Sequence, residues 1–177
     1  LRAAALELYE QHGYDETTTA QIAERAGVTE RTYFRHFADK REVLFDGETE
    51  LSDAMTSAIA AATRDRGPLE LVLDAYTAAI PLFVAGRPVA ERRARIMADS
   101  SALQERANTK SAAIAQRLID ALIERGVPEP TARLAVRVGT AAFEHASRAW
   151  GGTSAPELER LIAHAAEELR GLSTESP

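Results

Sequence analysis

The chain has 177 residues, with 21 Lys and Arg against 27 Asp and Glu, a formal charge of −6, 45% hydrophobic residues and no cysteine. That length and apolar content suit one domain, or a small domain fused to a larger one, and exclude a disordered chain. The missing cysteine excludes disulfides, thiol nucleophiles and Cys-ligated metal, and the acidic total argues against a protein that coats nucleic acid without selection.

No run of about 18 apolar residues is present, and the start carries no signal-peptide pattern. A cytoplasmic protein with no membrane partner is therefore expected. Leu1 rather than Met stands first, so further residues are expected upstream.

Almost everything reads as helix: Ala, Leu, Glu and Arg dominate, and Gly and Pro punctuate. The expected class is all-α, with about nine helices. Helix one covers 1–12, with Ala4, Ala5, Leu8 and Tyr9 as its inner stripe and Gly13 as its stop. Helix two opens at Thr18, whose pairing with Gln21 makes a capping box. Ile22, Ala23 and Ala26 face inward, and Gly27 suits the left-handed position that ends a helix. Thr29 caps a short third helix, 30–36.

Asp39, with Glu42 as a second capping box, is expected to start a helix of about 25 residues. Its stripe would be Val43, Leu44, Leu51, Met55, Ile59 and Ala62. Gly67-Pro68 opens helix five, which Pro81 should kink or split. Gly86-Arg87-Pro88 reads as the next break, before helix six at 89–98. Helix seven covers 102–125 and ends at Gly126, helix eight covers 131–150, and helix nine covers 156–170.

The segment TERTYFRHFADKREVLF, 29–45, concentrates cations and rings. Across 29–41, four basic residues (Arg31, Arg35, Lys40, Arg41) face two acidic ones, Glu30 and Asp39. Two helices joined through a few residues at Gly27 make the helix-turn-helix pattern. Arg31 and Arg35, four apart, share one face of helix three with Thr29, Glu30 and Thr32. Phe37 reads as packing, and of Tyr33 and Phe34 one packs while the other borders the polar side. Lys40 and Arg41 at the start of helix four lie at its positive pole. Either a phosphate docks there, or Lys40 points to water beside Asp39 and Glu42.

The run AQIAERAGVTERTYFRHFADKREVLF resembles the DNA-binding domain of the TetR family of bacterial regulators. The matching positions are Ala26-Gly27-Val28, Thr29, Thr32, Phe34, His36-Phe37 and Lys40, together with Gly13-Tyr14 and Thr17-Thr18-Thr19. The resemblance implies a helix-turn-helix domain at 1–45, whose third helix enters the DNA major groove, and a ligand-binding and dimerisation domain at 46–177. It implies base or phosphate contacts from Thr29, Glu30, Arg31, Thr32 and Arg35, phosphate contacts from Thr18, Thr19, His36 and Lys40, and Tyr33 as the candidate at DNA for the hydroxyl that Phe34 lacks. Many members carry Tyr, with a phosphate-seeking hydroxyl, where this chain has Phe34.

A small reading domain needs a second copy to hold a two-fold operator. The small-residue stripe Ala135, Gly139, Ala142 and Ala146 on helix eight, with Leu134 and Val138 beside it, is expected at a homodimer interface. Leu158, Leu161, Ile162, Ala165 and Leu169 on helix nine are expected to join it, since the family pairs its last two helices.

Helices four to eight are expected to enclose an effector site lined by Tyr76, Ile80, Phe83, Met97, Leu118, Phe143 and Trp150. Residues 87–169 also resemble the TetR subgroup with an acyl-CoA-like ligand-binding domain. That likeness rests on Arg87-Pro88, the stretches 92–97 and 100–106, and Trp150 before Gly151-Gly152. It implies an acyl or thioester effector. Arg92, Arg93 and Arg95 could meet its anionic group, or form a solvated basic face.

An enzyme is not expected. No phosphate-binding glycine loop or Gly-x-Ser-x-Gly occurs, and His12, His36, His145 and His164 lack metal spacing. Neither metal nor cofactor is expected. A helical module whose helix-turn-helix contacts protein is the rival reading, and the acidic total favours it.

Overall fold

The computed structural model describes residues 1–98, 100–152 and 154–174. The chain divides into two compact units. One combines Leu1–Thr49 with Pro88–Ser111, and the other combines Glu50–Arg87 with the chain from Ala112 onward. Nine α-helices and one 3-10 turn are found among the described residues, as the helical composition predicts. None of these helices is long and apolar enough to cross a membrane alone.

The first unit begins with α1 (Arg2–His12), α2 (Thr19–Arg25) and α3 (Glu30–His36). Thr18 caps α2: its hydroxyl accepts from Gln21 N–H at 3.2 Å, and its own N–H donates to Gln21 Oε1 at 2.8 Å. Gly27, at φ 69°, turns the chain between α2 and α3, a conformation that a Cβ would strain. Thr29 then caps α3 by accepting from Thr32 N–H at 3.2 Å. Ala5, Leu6, Tyr9, Ile22, Ala23 and Tyr33 close the core behind these helices.

The long fourth helix expected from Asp39 does not form. The Asp39 carboxylate accepts from the N–H groups of Arg41 (2.7 Å) and Glu42 (3.2 Å). What it starts is a 3-10 turn, Glu42–Phe45, and α4 spans only Glu48–Ala61. Gly47, at φ 97°, separates the two. The expected apolar stripe therefore belongs to two elements. Val43 and Leu44 bury in the first unit's core, while Met55 and Ile59 bury in the second's. Glu42 makes no capping box; it binds Arg106 at 2.6 Å and Lys110 at 3.0 Å, which lie on α7 (Ser101–Glu124).

The break expected at Pro81 is present, two residues earlier, while the one expected at Gly86-Arg87-Pro88 is not. α5 (Pro68–Ala78) and α6 (Ile80–Ala98) are bent by 58° at Ala79, and α6 runs unbroken through Gly86-Arg87-Pro88. Pro81 is the second residue of α6, where the missing N–H would have no partner in any case. Pro88 stands inside the helix and removes one of its hydrogen bonds. Arginines from α6 secure the first unit. Arg92 pairs with Glu10 at 2.7 Å and Arg95 does so at 3.4 Å. Arg93 donates to Leu44 O at 3.3 Å, with its guanidinium 5.6 Å from the Phe45 ring centre.

The second unit packs α5 against α8 (Glu129–Ala149) and α9 (Ala155–Thr174). Gly139 sets the closeness of the first pair: a Cβ there would lie 2.5 Å from Val72 Cγ1. Ala135, Gly139, Ala142 and Ala146 are all buried in this packing. The small-residue stripe expected at a partner thus serves the protomer's own core.

Candidate nucleic-acid interface and ligand site

The helix-turn-helix has two sharply different sides. Its inner side is fixed by Tyr33, which is fully buried and donates its hydroxyl to Asp39 O at 3.1 Å. Burial pushes the Tyr33 phenol far above its ordinary range, so it stays a neutral donor. Phe37 packs beside it, with ring centres 5.5 Å apart. Tyr33 was expected at DNA; the structure instead makes it the anchor of α3. The outer side carries Thr29, Glu30, Arg31, Phe34, Arg35 and His36, all exposed, with Thr32 partly covered. Phe34 keeps 51% of its surface in solvent. The choice left open between two adjacent rings is decided by their roughly 100° separation on the helix.

At the start of α2, Thr18 is exposed and Thr19 is half-buried. The Thr19 hydroxyl donates to Glu30 Oε1 at 2.6 Å, which ties α2 to α3 across the turn. This contact joins residues eleven apart, and no sequence pattern announced it.

The expectation for Lys40 changes with the loss of the long fourth helix, whose N-terminus it was expected to mark. Its ammonium donates to Tyr14 O (2.9 Å), Asp15 O (3.0 Å) and Thr17 O (3.2 Å), and lies 4.3 Å from the Tyr14 ring centre. An ammonium has three donors, and these carbonyls engage all three. Lys40 therefore fastens the loop before α2. Arg41 pairs with Asp39 at 2.7 Å, and that hydrogen bond holds the Asp39 carboxyl below its ordinary range.

In the second unit, the rings of Tyr76, Phe83 and Phe143 form a stack. Tyr76 and Phe143 lie 4.3 Å apart at 12°, and Phe83 and Phe143 lie 4.6 Å apart at 32°. The Tyr76 and Thr140 hydroxyls are 2.9 Å apart. Ile80 and Leu118 are buried in the same core. Trp150 donates Nε1–H to Ser154 O at 3.1 Å and carries the Arg87 guanidinium 4.6 Å from its ring centre. Met97 does not join this group; it packs against the core of the first unit. Its helix was expected to start at residue 89, but α6 passes into the first unit, and Met97 goes with it. Arg92, Arg93 and Arg95 are likewise engaged in the first unit, by Glu10, Leu44 O and Glu10 respectively.

The residues expected at a dimer interface also divide. Ala142, Leu158, Ile162 and Ala165 have at most 4% of their surface exposed, so they have almost no area to offer a partner. Leu134 is 63% exposed, and Val138, Leu161 and Leu169 are half-buried. Beside them, Ala141, His145, Glu168 and Leu169 line a groove of about 490 Å³ along α8 and α9. Glu168 bridges His145 at 3.4 Å and His164 at 3.5 Å.

Residues 1–46 match the family model for bacterial regulatory proteins of the tetR family. Over 76 residues, 43% of this chain, the sequence is 38% identical to the HTH-type transcriptional regulator TcmR of Streptomyces glaucescens. The match spans about a third of that relative's length, 34%. The fold is shared with a transcriptional regulator of the TerR/AcrR family from Aquifex aeolicus VF5, at TM-score 0.58 and 16% identity over 97% of this chain and 96% of that one. It is also shared with FadR of Thermus thermophilus, a TetR family transcriptional repressor solved with lauroyl-CoA, at TM-score 0.59 and 18% identity over 96% and 91% of the two chains.

Proposed function

We propose that this chain, a member of the TetR family of bacterial regulatory proteins, is a ligand-responsive repressor in the cytoplasm that binds a pseudo-palindromic DNA operator as a homodimer. The observation that carries this reading is the exposed face of α3. Arg31 and Arg35 project from a helix whose opposite side is locked by Tyr33. Arginine at such a position can bond guanine edges, while Thr18, Thr29 and His36 suit phosphates. The division at 1–45 and 46–177 assigns DNA reading to the first part, and effector binding and dimerisation to the second.

For the dimer, Leu134 with Val138, Leu161 and Leu169 supply the apolar area. The effector is a small amphipathic molecule, with acyl or acyl-CoA-like compounds first, received among Tyr76, Ile80, Phe83, Leu118, Phe143 and Trp150. The stacked rings must part to admit it. α4, α6 and α7 each contribute residues to both units, which supports a coupling in which ligand changes the separation of the two reading heads. Such coupling requires the effector to bind the two states with different affinity. The reading implies neither catalysis nor a cofactor.

Selection of binding sites from random DNA tests the proposal. A recovered pseudo-palindrome is the expected result, with affinity falling by powers of ten between about 50 and 200 mM salt if several phosphates are contacted. Arg31→Ala and Arg35→Ala should each weaken operator binding by about tenfold or more, within the range of one lost base contact. Recovery of no sequence, with salt-indifferent binding, would transfer the case to a protein-contacting helical module, which the charge of −6 favours. Lauroyl-CoA is the first effector probe; unchanged operator affinity at saturating lauroyl-CoA rules out that effector.

A further inference from the structure

On the exposed side of α3, polar and charged residues are suited to phosphates and base edges, but Phe34 is not. Among the described residues, the large hydrophobic side chains left exposed are Val28, Phe34, Ile123 and Leu134, and Phe34 is the aromatic one, at 51%. Its ring meets Tyr33 edge to face, with centres 5.6 Å apart at 84°. Tyr33 is itself immobilised by full burial and its bond to Asp39 O. The root of Phe34 is therefore held while much of its ring projects into solvent. On the helix, Phe34 lies about 40° from Glu30 and about 60° from Arg31. Glu30 is tethered by Thr19, and Arg31 is exposed.

An exposed ring without a hydroxyl cannot bond a phosphate. Against a base edge it gains chiefly where it covers another apolar group. On the major-groove edges of the bases, the bulky apolar group is the thymine 5-methyl; cytosine offers only a C–H at that place, and the remaining features are hydrogen-bond donors or acceptors. We infer that Phe34 is a specificity-determining residue that covers a thymine methyl in each half-site, beside the base edge met by Arg31. The inference rests on the DNA-reading function proposed above and adds to it a thymine at a fixed position next to the Arg31 contact.

The test replaces each thymine of the selected operator in turn by deoxyuridine, which removes the methyl and leaves the pairing edge unchanged. In the wild-type chain one position per half-site should lose affinity about fourfold, the size expected for one methyl-sized group no longer buried. The other thymines should be indifferent. In Phe34→Ala that penalty should vanish, while in Arg31→Ala it should persist on a weaker baseline. Phe34→Leu, still apolar, should retain part of it. Thermal melting of the variants checks that a half-exposed side chain was removed without unfolding the domain.

A wild-type scan in which no thymine responds overturns the inference and leaves the DNA-reading proposal standing. So does a penalty of equal size in Phe34→Ala, since another residue would then read the methyl. Failure to select any operator overturns the proposed function itself.

Discussion

Tyr33 and Phe34 are adjacent rings with opposite duties. Tyr33 is fully buried, with one polar atom satisfied by Asp39 O, so its removal tests the scaffold. Tyr33→Phe should cost about 0.5–1.5 kcal/mol, the net worth of one hydrogen bond, read as a lower melting temperature. Because the hydroxyl points inward, the selected DNA sequence should stay the same. A changed base preference in Tyr33→Phe would return this residue to the interface. Lys40 makes a similar point, since its position suggested phosphate but its three donors go to loop carbonyls. Lys40→Met should therefore destabilise the first unit as well as any DNA complex.

At the scale of elements, two contacts control the packing. Gly139 lets α8 approach α5 closely. Alanine is normally the better helix former by about 1 kcal/mol, but here its Cβ would sit 2.5 Å from the buried Val72 Cγ1. Val72 is β-branched and has little rotamer freedom with which to yield. Gly139→Ala should thus destabilise the fold by about 1–3 kcal/mol. Adding Val72→Ala should recover part of that loss in denaturant melts, because it makes room for the new methyl.

The second contact joins Glu42 of the 3-10 turn to Arg106 and Lys110 of α7. Burial works against the Glu42 charge, but hydrogen bonds from Lys110 and Arg106 outweigh it and hold the carboxyl below its ordinary range. A depressed folded-state pKa contributes stability that is present above the unfolded value of about 4.3 and is lost as pH falls through the lower folded value. Asp39 has the same sign. Glu48 has the opposite one: burial raises its carboxyl, so protonation relieves a cost. The melting temperature of wild-type protein should fall below about pH 4. Glu42→Gln should be less stable by about 1–2 kcal/mol at neutral pH, between the exposed and buried ion-pair ranges, and should show a flatter acid limb.

For the whole molecule, the exposed remainder of the α8–α9 surface is the place to test association. Leu134 keeps 63% of its surface in solvent, so the protomer itself gains little from it. Leu134→Arg should convert the proposed dimer to monomer in sedimentation and remove the concentration dependence of melting. Operator affinity should fall with it, because two linked reading heads bind far more tightly than one. A monomeric wild-type chain, or an unaffected dimer in the variant, would exclude this face.

Much of the first unit is legible in the sequence because it depends on neighbours in the chain. Caps at Thr18 and Thr29, the turn at Gly27 and the apolar spacing in α1 and α2 act over three or four residues, so the helix-turn-helix could be read locally. The same local logic misjudged Asp39 and Pro88. A carboxylate cap starts a 3-10 turn as readily as an α-helix, and a proline inside a long helix can remove one hydrogen bond without ending it. Periodicity says which side chains are covered, but not by what. The small stripe of α8 could face a partner or α5, and only the approach of Val72 to Gly139 assigns it to α5. Arg92 and Arg95 of α6 could meet a ligand or solvent, and both instead pair with Glu10, more than eighty residues away in sequence. Most helices, the helix-turn-helix and the exposed arginines of α3 follow from residues a few positions apart; the split of the expected fourth helix and the partners of each side chain follow from burial and pairing, which join residues that no local pattern relates.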